Sequence, residues 1–283
     1  MIPETDLILN PDNTIYHLHL GADEIPDWII TVGDPERVPK VTKYFDKIFL
    51  KRKHRQFHSH LGELGGKQIL VISTGIGTDN IDIIINEIDA LANIDLTNRK
   101  AKKNLRSLNF IRIGTSGAIQ KDIPLDSILI SDFAIGIDPL MQFYKSKRKS
   151  VPVGIIKQAS IELSEILHFS YWSKADHQLI SKMGDGFLHG ITITSPGFYG
   201  PQGRSLRLKA NGFDIYSLSQ IKYQKLQITN IEMETAGIYA MANALGHKAI
   251  SVNAILANRI SGQFSKQPGK TVDLCIKKVL SLL

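Results

Sequence analysis

The chain has 283 residues, with 34 Lys and Arg against 27 Asp and Glu, and a formal charge of +7. With 43% apolar and 22% charged residues there is material for a packed core, which excludes intrinsic disorder, and the length suits one large α/β domain. A single cysteine, Cys275, excludes an intrachain disulfide framework and a cysteine-based zinc cluster, and fits a reducing compartment.

The chain starts Met1-Ile2-Pro3-Glu4-Thr5-Asp6, acidic and without the basic-then-apolar order of a signal peptide. Apolar runs rich in β-branched residues predict buried strands at Trp28–Val32, 69–73, 110–113, 128–130, 191–194 and 250–255. Helical spacing of Ile81, Ile84, Ile85, Ile88, Leu91 and Ala92 predicts a first long helix from Asn80. Asp82, Asn86 and Glu87 interrupt its apolar stretch, so no bilayer span is expected and a soluble cytoplasmic protein is. A last helix follows from Val272, Cys275, Ile276, Val279, Leu280 and Leu283. Strands alternating with helices, without internal repeat or dividing linker, predict a single α/β domain over residues 1–283 with a mixed central β-sheet flanked by helices.

Basic residues cluster at 51–55, at 99–106 and at 145–149. Such patches serve nucleic-acid binding, the collection of small anions, or a solvated surface. The segments 97–107 and 145–150 read as surface excursions that either one could use as a mobile loop. His54, His58 and His60 are surrounded by lysine and arginine with no acidic or cysteine ligand nearby, so no metal site is expected there. Trp28 and Trp172 read as core or interface packing.

Three strands run into small or glycine-bearing segments: Gly33-Asp34-Pro35-Glu36-Arg37, Thr74-Gly75-Ile76-Gly77-Thr78 and Gly114-Thr115-Ser116-Gly117. Read as turns, they let a backbone with φ > 0 approach a ligand at the carboxyl ends of the strands. None completes a dinucleotide fingerprint, and there is no Walker lysine. Arg37 and Arg112 lie close to two of them, and Arg112 sits in an otherwise apolar run where an unpaired guanidinium is costly. A planar fork beside backbone donors and Thr115 is the chemistry of oxyanion capture. Further on, Phe198, Tyr199, Gln202 and Arg204 fall in a Gly/Pro-rich loop and together offer donors and an acceptor for a planar heterocycle's edge. Glu232-Met233-Glu234-Thr235 opens a helix ending near Leu245, where acidic residues serve as ordinary dipole partners.

In order along the chain, Gly33-Asp34-Pro35-Glu36-Arg37-Val38, Ser73-Thr74-Gly75-Ile76-Gly77, the run from Arg112 to Gln120 and Glu232-Met233-Glu234-Thr235-Ala236 resemble the nucleoside phosphorylase family, on its uridine-cleaving side. The resemblance implies that Gly33, Arg37, Arg112 and Thr115 hold phosphate, with Arg55 supplied by a neighbouring subunit. It implies that Thr115, Met233 and Glu234 hold ribose, and that His17 of the neighbour reaches the 5′-hydroxyl. Gly117, Phe198, Gln202 and Arg204 would bind the base, and Arg112, Gln202, Arg204 and Glu234 would carry catalysis. Purine-cleaving relatives have a proton-delivering aspartate where Asn258 stands here, which favours a pyrimidine nucleoside. The implied assembly is a dimer with shared sites, built into a hexamer.

Departures from the family pattern fall at Gly203, at Thr78-Asp79-Asn80, at His19, and at Gln56, which follows Arg55 where a carboxylate helps to bind a monovalent cation. No organic cofactor or other metal is implied, the partners being a nucleoside and inorganic phosphate as co-substrate, with no nucleic acid and no membrane. A hydrolytic nucleosidase on the same fold, a purine nucleoside phosphorylase and a non-catalytic nucleotide-binding protein are the alternatives.

Overall fold

The computed structural model describes residues 1–145, 149–211 and 213–283. The strands of four or more residues are β1 (Trp28–Val32), β2 (Lys47–His54), β3 (Phe57–Leu64), β4 (Lys67–Ser73), β5 (Asn109–Ala118), β6 (Ile128–Gly136), β7 (Tyr171–Lys174), β8 (Leu188–Thr194), β9 (Leu226–Glu232) and β10 (Lys248–Asn258). The main sheet runs in the order β9-β8-β6-β10-β5-β1-β4-β3-β2, with β7 beside β6. Pairing is parallel from β4 through β1 and β5 to β10, and again from β6 through β8 to β9. It is antiparallel from β2 through β3 to β4 and between β6 and β10, so the sheet is mixed, as the alternation of elements predicts. β5 also meets β9 antiparallel, at Ala118↔Asn230 and Gly117↔Ile231, which closes β5, β10, β6, β8 and β9 into a ring.

Four helices bear on the site: α1 (Arg37–Thr42), α2 (Thr78–Asn93), α3 (Thr235–Leu245) and α4 (Pro268–Leu280). The apolar face foreseen for α2 is fully buried at Ile81, Ile84, Ile85, Ile88 and Leu91, and α2 packs on α3. On α4, Cys275, Ile276 and Val279 are buried where the helix packs against β10 and β5. Burial pushes the Cys275 thiol up to about 12.

Several expectations are corrected. The strand foreseen at 110–113 continues to Ala118, so Gly114-Thr115-Ser116-Gly117 is strand and not a turn. Of the glycines read as turn-formers, Gly75 (φ 72°) and Gly77 (φ 98°) take left-handed backbone, and Gly33, Gly114 and Gly117 do not. Gly114 has a different task. Side chains two apart on a strand share a face, and a Cβ at Gly114 would lie 1.7 Å from Arg112 Nη1. The missing side chain is the space the guanidinium occupies.

The excursion at 97–107 is not loose. Its Lys100–Ala101 pairs with Ile94–Asp95, just before it, in a short hairpin, and Arg99 donates from Nε to the Ile2 carbonyl (2.8 Å) and from Nη2 to that of Pro3 (2.9 Å). Arg106 donates to Asp27 at 2.7 Å and to the Ile25 carbonyl at 2.9 Å, so two of these cations fasten the amino-terminal segment. The segment 145–150 includes 146–148, which lie outside the described residues. The β2–β3 hairpin was not foreseen. Lys47, Phe49, Lys51 and Lys53 are exposed and alternate with half-buried Ile48, Leu50, Arg52 and His54, so the first basic cluster is the outer face of an edge strand.

Among the described residues, no helix is long and apolar enough to cross a membrane, and no group of three His, Cys, Asp or Glu is placed to hold a metal ion. Substituting Gly114→Ala is expected to cost about 1–3 kcal/mol, measured by denaturant unfolding, because the new methyl overlaps Arg112. Gly154→Ala, which opens onto empty space, should stay within about 0.5 kcal/mol of the parent.

Candidate active site

Arg112 stands on β5 and is only 4% exposed. Its Nη2 donates to Glu234 at 2.6 Å and lies 3.0 Å from Glu232, while Nη1 donates to Asn253 Oδ1 at 2.8 Å. Burial works to lower the Arg112 guanidinium, and the carboxylates of Glu232 and Glu234 outweigh it, so its pKa is raised. The cation expected from sequence is therefore fixed from two sides.

The two glutamates divide their work differently from the sequence reading. Glu232, the last residue of β9, accepts from the N–H groups of Glu234 (2.9 Å) and Thr235 (3.0 Å) and from Thr194 Oγ1 (2.5 Å). It is the dipole partner that starts α3. Glu234 makes no capping bond and turns away, accepting from the Gly77 N–H at 2.8 Å and from Arg112. Burial pushes the Glu234 carboxyl up, against the pull of Arg112.

A cavity of about 880 Å³ opens over this group, and every candidate residue lines it except His17 and Arg55. Gly33, Arg37, Arg112 and Thr115 lie on one part of its wall, Met233 and Glu234 beside them, and Gly117, Phe198, Gln202 and Arg204 complete it. Arg37 donates from Nη1 to the Ile113 carbonyl at 3.2 Å. Burial, with Arg112 adding like charge, lowers the Arg37 guanidinium. Two guanidinium groups close enough to repel each other, on the wall of one cavity, make a place for an anion.

At the other part, Arg204 Nη1 donates to the Phe198 carbonyl (2.6 Å) and to Gln202 Oε1 (2.5 Å), and its guanidinium lies 3.8 Å over the Phe198 ring. The cation–π contact covers one ring face, and the hydrogen bond to Oε1 orients the Gln202 amide. Burial, with Arg259 adding like charge, pulls the Arg204 guanidinium down to about 10, so it is still charged at neutral pH.

His17 and Arg55 lie together elsewhere. His54 Nδ1 donates to the His17 carbonyl at 2.9 Å, Arg55 Nη2 to Tyr16 Oη at 3.4 Å, and the His17 ring contacts Glu87 at 2.5 Å through Nδ1. Neither side chain enters the cavity of its own chain.

Sequence reasoning passed over Arg259. It lines the cavity, donates from Nη2 to the Gln202 carbonyl at 3.1 Å, and its buried Nη1 has no hydrogen-bond partner among the described residues. The signal was its place next to Asn258. Asn258 itself is fully engaged, donating to the carbonyls of Gln120 (2.8 Å) and Ile123 (3.0 Å) and accepting from the N–H groups of Ile260 and Ser261.

Residues 27–283 match the Phosphorylase superfamily. The chain belongs to this superfamily. It is 29% identical to a uridine phosphorylase of Thermococcus kodakarensis over 271 residues, covering 95% of this chain and 86% of that protein. With a uridine phosphorylase of Haemophilus influenzae it shares 28% over 247 residues, covering 87% and 86%. A solved nucleoside phosphorylase of Trypanosoma brucei that shows uridine phosphorylase activity superposes with a TM-score of 0.88 at 27% identity, covering 98% of this chain and 99% of that one. The mixed sheet and its helices are thus the phosphorylase-superfamily fold.

Within that fold, Asn258→Asp exchanges two buried donors for a carboxylate facing two carbonyls. We expect a loss of about 2 kcal/mol or more in unfolding free energy at neutral pH, recovered in part as acid protonates the new group.

Proposed function

We propose that the chain, as a single domain over residues 1–283, catalyses reversible phosphorolysis of a pyrimidine nucleoside: uridine and phosphate to uracil and ribose 1-phosphate. The observation that carries this reading is the sequence of chemistries along one cavity. Arg37 and Arg112 stand at the anion end, the fixed Glu234 carboxylate adjoins them, and the Gln202–Arg204 pair faces the other end. The names of its relatives agree with it.

In this reading a phosphate oxygen forms a bond to C1′ while the C1′–N1 bond breaks, and the electron pair leaves with the base. Arg112, Arg37, the Thr115 hydroxyl and the Gly33 backbone hold phosphate. Glu234, fixed by the Gly77 N–H and Arg112, accepts from ribose hydroxyls, with Met233 against the sugar and Thr115 near it. The ring face of Phe198 that Arg204 leaves open takes the base, Gly117 keeps room for it, and Gln202 and Arg204 meet its edge. Positive charge grows on the sugar, facing phosphate and Glu234. Negative charge grows on the base, facing Arg204. Donors aimed at charge that appears only in the transition state raise turnover rather than ground-state affinity. No organic cofactor or other metal takes part in this scheme.

Arg55 and His17 enter the same scheme from a second copy of the chain, Arg55 to phosphate and His17 to the 5′-hydroxyl. Their shared surface, away from their own cavity, fits a dimer with exchanged residues, assembled into a cytoplasmic hexamer. Asn258 supports a pyrimidine over a purine, since both ends of its amide are engaged and it has no proton to give.

Incubation with uridine, inosine and adenosine, each with and without phosphate, separates the readings. Uracil release that requires phosphate is expected. Release without phosphate would make the protein a nucleosidase, and faster hypoxanthine or adenine release would make it a purine enzyme. Arg204→Ala should lower turnover on uridine by about 10²–10³-fold, and a loss under about threefold would remove its leaving-group role.

A further inference from the structure

Arg55 sits in the turn between β2 and β3 with φ at 52°, a left-handed conformation that a non-glycine residue keeps only where its surroundings hold it. The hold comes from the next residue. Gln56 Nε2 donates to Asn80 Oδ1 at 2.7 Å, and Asn80 Nδ2 donates to the Ile76 carbonyl at 2.8 Å. On the backbone side, the buried Ser73 Oγ donates to the Gln56 carbonyl at 2.5 Å and accepts from the His58 N–H at 2.8 Å. Both amide side chains close on Gly75, where a Cβ would lie 3.0 Å from Asn80 Nδ2 and 3.1 Å from Gln56 Cγ. Two residues on, the Gly77 N–H reaches Glu234. The turn that carries Arg55 and the turn that fixes Glu234 are one hydrogen-bonded unit.

The family resemblance places a monovalent cation beside this turn, bound with the help of a carboxylate. The residues here do not fit one. The position after Arg55 holds a neutral amide whose N–H groups face Asn80, and the Ile76 carbonyl and Ser73 hydroxyl are already hydrogen-bonded within the protein. A hard cation needs several oxygens turned toward it. Asn80 Oδ1, the Ile76 carbonyl and the Ser73 hydroxyl each have a protein donor instead.

We propose that Gln56 and Asn80 are positioning residues that hold Arg55 for phosphate by direct hydrogen bonds, in place of a bound monovalent cation. The proposal rests on the reading of Arg55 as a phosphate ligand of the neighbouring site. The clamp touches no reacting atom. Its effect on phosphate passes through Arg55, so in phosphate affinity the loss of the clamp and the loss of Arg55 must not add.

The test measures KM for phosphate, KM for uridine, kcat, and the calorimetric affinity for inorganic phosphate. The proteins are the parent, Arg55→Ala, Asn80→Ala, Gln56→Ala and the double variant Arg55→Ala with Asn80→Ala. Each is studied in potassium, sodium and tetramethylammonium chloride at equal ionic strength. Asn80→Ala and Gln56→Ala should weaken phosphate by about fivefold or more and change KM for uridine by less than about twofold. In the Arg55→Ala background, Asn80→Ala should add less than about twofold. The parent should bind phosphate alike in all three salts. The proposal fails if Arg55→Ala weakens phosphate while both clamp variants leave it unchanged, if the two losses multiply in the double variant, or if potassium improves the parent by more than about threefold. An unchanged phosphate affinity in Arg55→Ala would instead remove the role of Arg55 itself, and the proposal with it. Calorimetry reads phosphate binding even where no base is released, so the clamp is judged apart from the reaction.

Discussion

One buried cation organises this molecule. Arg112 on β5 is met by Glu232 at the end of β9, by Glu234 in the link to α3, and by Asn253 on β10. A guanidinium withdrawn from water is tolerated only where its donors are engaged, and removing one partner of such a group commonly costs about 3–5 kcal/mol. The three partners sit on three different segments, so satisfying Arg112 sets how β5, β9, β10 and the start of α3 stand relative to one another. The strand ring closed by the β5–β9 pairing is the backbone counterpart of the same constraint. Arg112 and its three partners are therefore placed by the packing of the fold itself, which is what a preorganised electrostatic site requires.

Sequence reasoning reached Arg112 because burial carries a physical price: a charge inside an apolar strand must have a reason. Arg37 is legible from its place beside a glycine-bearing segment, and the Gln202–Arg204 pair from its donors and acceptor in a Gly/Pro-rich loop. It went astray where one residue type serves two purposes. Glu232 and Glu234 are two residues apart at one helix start, and no periodicity says which carboxylate satisfies the backbone of α3 and which one reaches Gly77. Glycines raised the same difficulty, since a space for a neighbouring side chain at Gly114 looks in sequence like a turn. Arg259 was hidden by its neighbour, because attention to a missing aspartate at Asn258 left the next residue unread. The β2–β3 hairpin escaped because half of its positions are solvated, which dilutes an apolar run into an apparent charge cluster.

The long buried elements were legible for the opposite reason. α2 presents five fully buried aliphatic residues at helical spacing, and β1 a run of buried residues framed by polar ones. Packing decides such segments, and packing leaves its period in the sequence. The positions of His17 and Arg55 are of another kind. They lie near each other outside the cavity of their own chain, so the site geometry of one chain does not place them.

The cysteine on α4 has a consequence of its own. Oxidants and alkylating reagents attack sulfur as the thiolate, and a buried thiol whose pKa stands at about 12 is almost wholly protonated in a neutral cell. With no other cysteine in the chain, there is no disulfide to shuffle and no sulfenic acid to form on a reactive sulfur. Peroxide stress thus finds no reactive thiol in these 283 residues.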